Sequence, residues 1–279
     1  MLPGFLLVRL RQLGMLGNLK SSVGDLIETQ RRFRLVHILG WQDLKARYKR
    51  SLLGPFWLTL STGVLIASIT LILGASMRIP MVDYLPYVTI GYIMFNKLTS
   101  VITESCQAFI SSSSMIRQVP VPLFVYVERV VWRNLLKLGH DIVLIPLAFW
   151  IVSRSINLNA LYFVPGFLLF LLNVTWVGLL LGVLSTRYRD LPMTVGSILP
   201  IFFYLTPIIW MPDFMPGKLG LRLLEFNPFY HMISLVRAPL MGDIPSYNTW
   251  IFCGIAAVLG WIVAMLVYAR SRDRVVFWL

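Results

Sequence analysis

Along the chain, long apolar stretches alternate with short basic or polar ones, a pattern that predicts a series of helices crossing a membrane. No charged residue occurs from Leu52 to Met77. About 20 helical residues cross a hydrocarbon core roughly 30 Å thick, so span one is placed at Pro55–Met77, with Pro55 in a first turn that needs no amide hydrogen. A turn at Arg78–Asp83, holding Pro80, leads into span two, Tyr84–Ile110, which carries Asn96, Lys97 and Glu104. Ser111–Pro122 interrupts it: its serines suit the cap of a short helix, and Pro120 with Pro122 stops one. Span three begins polar and ends apolar. At helical spacing Arg129, Arg133, Lys137 and His140 share one side, with Asn134 and Asp141 at its edge. The apolar part, Ile142–Val152, is too short to cross alone. Span four is Ala160–Leu184, span five Met193–Met211 with Pro200 and Pro207 inside, and span six Trp250–Tyr268. Ser153–Asn159 and Ser185–Leu191 (S-T-R-Y-R-D-L) are the short connections around span four.

Charge sets the direction of this frame. Lys45, Arg47, Lys49 and Arg50 stand before span one, and Arg270, Arg272 and Arg274 follow span six. Lys and Arg are retained on the cytoplasmic side of a span, so both termini are expected in the cytoplasm. The predicted fold class is an all-α integral membrane protein with six transmembrane helices. Its parts are a cytoplasmic N-terminal region (1–54), the six-span unit (55–270) and a cytoplasmic tail (271–279). Residues 1–23 are weakly patterned and read as a poorly ordered lead. From Asp25 a helix is expected, with Leu35, Ile38, Leu39 and Gln42 on one side. Such a basic amphipathic helix lies in the membrane interface or is an ordinary cytoplasmic helix. The segment Pro212–Thr249 falls outside, yet Leu219, Leu221, Leu223, Phe226 and Phe229 make it too apolar for a hydrated loop. Two short helices dipping back into the membrane, split at Asn227-Pro228, suit it better.

Composition agrees with a membrane protein. Of 279 residues 57% are hydrophobic and 13% charged, against about 25% charged in soluble domains; mean hydropathy is +0.75. The formal charge of +13 reads as a collar on anionic lipid headgroups, with no nucleic-acid partner. Cys106 and Cys253 lie in apolar surroundings without paired spacing, and His37, His140 and His231 lack metal-ligand spacing, so no metal site is expected. No G-x-x-x-x-G-K-[ST] loop and no second phosphate-cradling glycine loop occurs, so the chain is not expected to bind and hydrolyse ATP by itself in the usual way. No G-x-S-x-G elbow occurs either, and no catalytic residue is assigned.

Charge at bilayer depth costs about 2.5–3.5 kcal/mol per residue on the insertion scale, which directs attention to Lys97 and Glu104. Arg129, Arg133 and Lys137 are available as partners for Glu104. Two readings stand: an ion-paired lock between spans two and three, or a polar wall of a hydrated conduit. Tyr92, Phe95, Phe202, Phe203 and Tyr204 lie in mid-span, where rings either pack or offer sugars a stacking path. Trp41, Trp57, Trp210, Trp250 and Trp278 sit at span ends, as interface anchors do.

Four segments, taken together and in order, resemble one family: D-L-K-A-R-Y-K-R-S-L-L-G-P-F-W before span one, I-R-Q-V-P-V-P after span two, R-Y-R-D-L after span four, and N-P-F-Y-H-M-I-S-L-V-R-A-P-L-M-G before span six. The chain looks like the permease subunit of type-2 ABC exporters of O-antigen and capsular polysaccharide, from about Ile27 to Leu279. The resemblance implies a homodimer bound to two copies of a separate ABC ATPase, which binds ATP and Mg. It would carry a lipid-linked polysaccharide across the bacterial inner membrane. It also implies roles: Ser113, Ser114, Met115, Ile116, Arg117 and Gln118 would couple to the ATPase, with Arg187, Tyr188, Arg189 and Asp190 nearby. Phe214, Phe226, Asn227, Pro228, Phe229, Tyr230 and Arg237 would belong to a periplasmic gate. Spans one and five would meet across the dimer. Rival readings are a capsular, teichoic-acid-like or small-lipid or drug exporter of the same architecture, and an integral-membrane glycan transferase. The last would call for a D-D or D-x-D pair, which the sequence lacks.

Overall fold

Helical stretches dominate because apolar runs leave the backbone no partner but itself in a bilayer. The computed structural model describes residues 3–49, 54, 56–212 and 224–279, with the backbone alone for 3–16. The helices are α1 (Pro3–Arg31), α2 (Phe33–Tyr48), α3 (Phe56–Met77), α4 (Met81–Cys106), α5 (Ser113–Gln118), α6 (Phe124–Asp141), α7 (Leu144–Ile151), α8 (Phe163–Arg187), α9 (Leu191–Leu205), α10 (Pro228–Met241) and α11 (Tyr247–Trp278). Short 3₁₀ turns precede α5 (Ile110–Ser112) and α8 (Leu158–Tyr162). Among the described residues there is no strand.

The central element is α4, which packs against α3, α6, α7, α8, α9 and α10. It buries Tyr84, Val88, Ile90, Met94, Leu98 and Val101, and Lys97 with them. A second helix pair, α8 with α11, is built on close approach. Apolar burial offers little gain between helices in lipid, so small residues and hydrogen bonds hold them. Gly260 of α11 lies beneath the Trp176 ring of α8, and Asn173 Nδ2 donates to the Cys253 carbonyl at 3.0 Å, while on another side of α8 Gly166 faces the backbone of Leu235 in α10. By contrast α3 buries only Ile66, Thr70 and Gly74 and leaves Phe56, Trp57, Leu60, Leu71 and Ile72 exposed.

Four stretches among the described residues are long and apolar enough to cross a membrane: Phe56–Met77, Phe124–Ile151, Leu158–Arg187 and Tyr247–Trp278. The expected spans two and five differ from these. Of the two, α4 has the length but carries polar residues, which its central position tolerates; α9 is apolar but only 15 residues long. After Leu205 the chain leaves the helix, and the bend at Thr206–Ile208 is buried. Its carbonyls are taken up by side chains: Tyr87 Oη donates to Pro207 O at 3.0 Å, Arg237 Nη1 to the same oxygen at 2.6 Å, and Tyr84 Oη to Ile209 O. Irregular backbone is tolerated at such depth when protein satisfies it.

Several local expectations change. Residues 3–23 are not an irregular lead: α1 is continuous from Pro3, since glycine inside a helix costs only about 1 kcal/mol and its Ser22, Asp25 and Thr29 are buried. The buried stripe of α2 is Val36, Gly40 and Leu44, displaced from Leu35, Ile38, Leu39 and Gln42, because α6 packs from that side. Span two stops at Cys106, and Ser112 at the start of α5 makes no side-chain cap. Helix α8 continues to Arg187, which shortens the basic connection, and α11 continues through residues 271–278 without a break. Pro55 lies outside the described residues, as do residues 213–223 with Phe214.

Candidate functional site

Two clusters collect most of the residues singled out in the sequence. The first is polar and joins α2, α4 and α6. Arg133 donates to Glu104 Oε2 through Nη2 at 2.7 Å and to Asp43 Oδ2 through Nη1 at 2.5 Å. Lys137 Nζ reaches Glu104 Oε1 at 2.6 Å, and Asn134 Nδ2 reaches Oε2 at 2.8 Å. Glu104 thus accepts from three side chains of α6, which stand in register because they recur at three- and four-residue spacing on one helix face. Arg129 does not reach Glu104; it forks onto both oxygens of Asp43. Lys97 turns to Asp141 as an ion pair, and Thr59 of α3 donates to the other Asp141 oxygen at 3.1 Å. All three carboxylates are therefore compensated, and α2, α3, α4 and α6 are tied together through charge.

Asp43 was not singled out by the sequence reading, although a signal existed: it is the lone acidic residue in the basic stretch of α2. Burial would raise its carboxyl, but the guanidinium groups of Arg129 and Arg133 outweigh that and hold it below the usual carboxylate range. A carboxylate with a depressed folded value contributes stability above its unfolded value, about 3.9, and loses it as pH falls through the folded one. We expect the stability difference between wild type and Asp43→Asn, from urea unfolding, to be about 1.5–3 kcal/mol at pH 7 and pH 5, the range for hydrogen bonds to charged groups. Below about pH 4 it should shrink. A constant difference down to pH 3 would remove the ion pairs from the account.

The second cluster is aromatic and joins α4, α9 and α10. Phe202 stacks on Phe229 at 4.5 Å between centroids, Phe95 meets Phe203 at 5.4 Å and Phe229 at 5.9 Å, and Tyr92 meets Phe203 at 6.3 Å. Asn227 positions α10 against α9. Its Oδ1 accepts from the Phe229 and Tyr230 amides at 2.9 and 3.3 Å, while its Nδ2 donates to Thr206 Oγ1 at 3.0 Å. Pro228 occupies the first turn, where no amide donor is required. At the other end Gly242, at φ 97°, closes α10 with its amide on Pro239 O and that of Asp243 on Ala238 O, a glycine-dependent helix stop. Arg237 is buried with its guanidinium 3.9 Å from the Tyr87 ring centre. Tyr204 meets Phe203 edge-on at 5.4 Å but is otherwise exposed, Phe226 is exposed and lies outside this stack, and Tyr230 packs beside His231. The His231 ring is spanned by Thr249 Oγ1 at 3.0 Å and Glu225 O at 2.8 Å, a structural pairing.

A third grouping lies where the sequence placed basic connections. Ser114, Arg117 and Gln118 of α5 are exposed, as are Arg187, Tyr188, Arg189 and Asp190, while Ser113, Met115 and Ile116 are half-buried. Both segments touch the end of α11. Met115 and Ile116 pack in the cluster containing Val275 and Trp278, and the Arg187 guanidinium lies 5.3 Å from the Trp278 ring centre.

These features define a helical membrane protein with a polar inner network and a broken helix at its core. Residues 34–241 match the family model for the ABC-2 type transporter, and the chain belongs to that family, as the membrane subunit of a transporter. Two curated relatives from Klebsiella pneumoniae are similar nearly end to end. Each is named O-antigen export system permease protein RfbA; one is 24% identical over 247 residues and the other 26% over 251. Each alignment covers 87% of this chain and 93% of the relative.

Proposed function

We propose that this chain is the permease of an ATP-driven exporter that moves a lipid-linked polysaccharide of O-antigen type from the cytoplasm to the periplasmic side of a bacterial inner membrane. Its similarity to two O-antigen export permeases over 87% of the chain carries the reading. In this proposal two copies of the chain cross the membrane six times each, termini inside, and two copies of a separate ABC ATPase dock on α5 and on Arg187–Asp190. The ATPase supplies the ATP and Mg chemistry. The stacked rings of Tyr92, Phe95, Phe202, Phe203 and Phe229 border the glycan path, since aromatic faces suit the apolar faces of sugars. The Asn227-capped α10 acts as the outer gate, and the Glu104 network locks the inner ends of α4 and α6.

Two outcomes are expected. The purified chain alone should hydrolyse no ATP, having no phosphate loop, and hydrolysis should appear on adding the cognate ATPase. In the assembled complex, Arg117→Glu should leave insertion unchanged and reduce glycan export per ATP by about tenfold, the effect of some 1.4 kcal/mol at a contact that favours one charge. Export into inverted vesicles, measured beside phosphate release, checks both. Export at wild-type stoichiometry with Glu at 117 removes α5 from docking.

One observation favours a smaller lipid cargo. Between α3, α4 and α7 lies an open groove of 580 Å³ lined by Phe56, Leu60, Val64, Val143 and Leu147, with almost no polar atom. Stimulation of the complex's ATPase by a lipid without glycan, equal to that by the glycan-bearing one, would decide for it.

A further inference from the structure

The family match begins at residue 34, so α1 stands ahead of it, yet α1 is tied into the fold by a buried charge. Asp25 on α1 is only 7% exposed. It accepts from Arg272 Nε at 2.6 Å and Nη2 at 2.9 Å, and from Tyr268 Oη at 2.7 Å. Arg272 Nη1 also donates to Ser21 Oγ, one turn earlier on α1. The forked guanidinium–carboxylate contact fixes orientation as well as proximity. Ser22 and Thr29 are fully buried, which places small side chains on the docked face.

What this contact holds is the inner end of α11. Beyond Arg272, α11 carries Val275 and Trp278, which pack with Phe109, Met115 and Ile116; Trp278 also lies under Arg187. The end of α11 therefore backs both exposed segments to which the proposed function assigns ATPase docking. A helix end loses its stiffness when its lateral contacts go, because the last turns have no following hydrogen bonds.

We propose that α1 is a splint: the Asp25–Arg272–Tyr268 contact holds the end of α11 against α5 and Arg187 and so positions the docking surface. The coupling part of this inference rests on the exporter reading; the ordering part does not. Asp25, Arg272 and Tyr268 are positioning residues and touch no substrate.

The test uses the full-length chain with spin labels on Ser114→Cys and Phe277→Cys, in a Cys106→Ser, Cys253→Ser background. In wild type the distance distribution should be narrow. In Asp25→Asn the docked population of α1 should fall about tenfold, the consequence of losing hydrogen bonds to a charged group, and the distribution should broaden. The exchange Asp25→Arg with Arg272→Asp should narrow it again, which separates the ion pair from a general folding defect. With the ATPase added, Asp25→Asn should lower export per ATP while the exchange restores it. An unchanged distribution in Asp25→Asn overturns the splint, whatever transport does. If the distribution broadens and narrows as expected but no ATPase couples even to wild type, the exporter reading fails and the splint stands.

Discussion

Glu104→Ala should lower the stability of the folded protein by about 3–5 kcal/mol, the cost of leaving buried partner charges uncompensated. The carboxylate accepts from Arg133, Asn134 and Lys137 at 2.6 to 3.1 Å. Its removal leaves Lys137, 7% exposed, with Asn134 alone and halves the compensation of Arg133. Ser100→Ala on the same helix is the control. Its hydroxyl makes one 3.3 Å contact to Asn96 Oδ1 and should cost no more than about 1 kcal/mol. Urea unfolding in detergent, together with the yield of monodisperse protein, measures the difference. Normal folding of Glu104→Ala with transport abolished would replace the lock by the conduit, since the carboxylate would then serve cargo and not architecture. Glu104→Gln should fall between the two, because the amide keeps one acceptor but not the charge.

Gly166→Ala should be the most damaging of the single-methyl additions in the bundle, costing about 1–3 kcal/mol or more as overpacking does. A Cβ at this position would stand 2.3 Å from the backbone oxygen of Leu235. A backbone atom on a helix cannot rotate aside, so α8 and α10 must separate. That movement would pull on Arg237 and through it on the Pro207 carbonyl it holds. Gly254→Ala provides the matched control: it adds the same methyl to an apolar helix and would meet nothing within 4 Å. Thermal unfolding of both variants decides the matter. Equal midpoints would mean that the α8–α10 contact relaxes without cost, and close approach would not be what fixes it.

The aromatic cluster shows how much of the candidate site was legible. Tyr92, Phe95, Phe202, Phe203 and Phe229 could be chosen as mid-span or gate rings from position alone, and four contacts bring them together. Phe226 could be chosen on the same grounds and lies elsewhere, and Tyr204 joins only through Phe203 and is otherwise exposed, because which side of a helix faces inward depends on neighbours. The burial of Arg237 illustrates the same point. In the sequence it is a cation on an outer segment; in the fold it closes the broken end of α9.

A helical membrane protein resembling the ABC-2 type, with breaks at Pro120-Val121-Pro122 and Asn227-Pro228 and with Glu104 in need of cationic partners, was legible in the residues alone. Those properties depend on run length, local charge and backbone chemistry, all of which act over a few turns of helix. Helix packing assigned Arg129 to Asp43, Lys97 to Asp141 and Arg272 to Asp25. It also decided that α4 is enclosed while α3 is left exposed. Ion pairs form between whichever charges helix packing brings within about 4 Å, and partners separated by 44 to 247 positions leave no periodic trace along the chain.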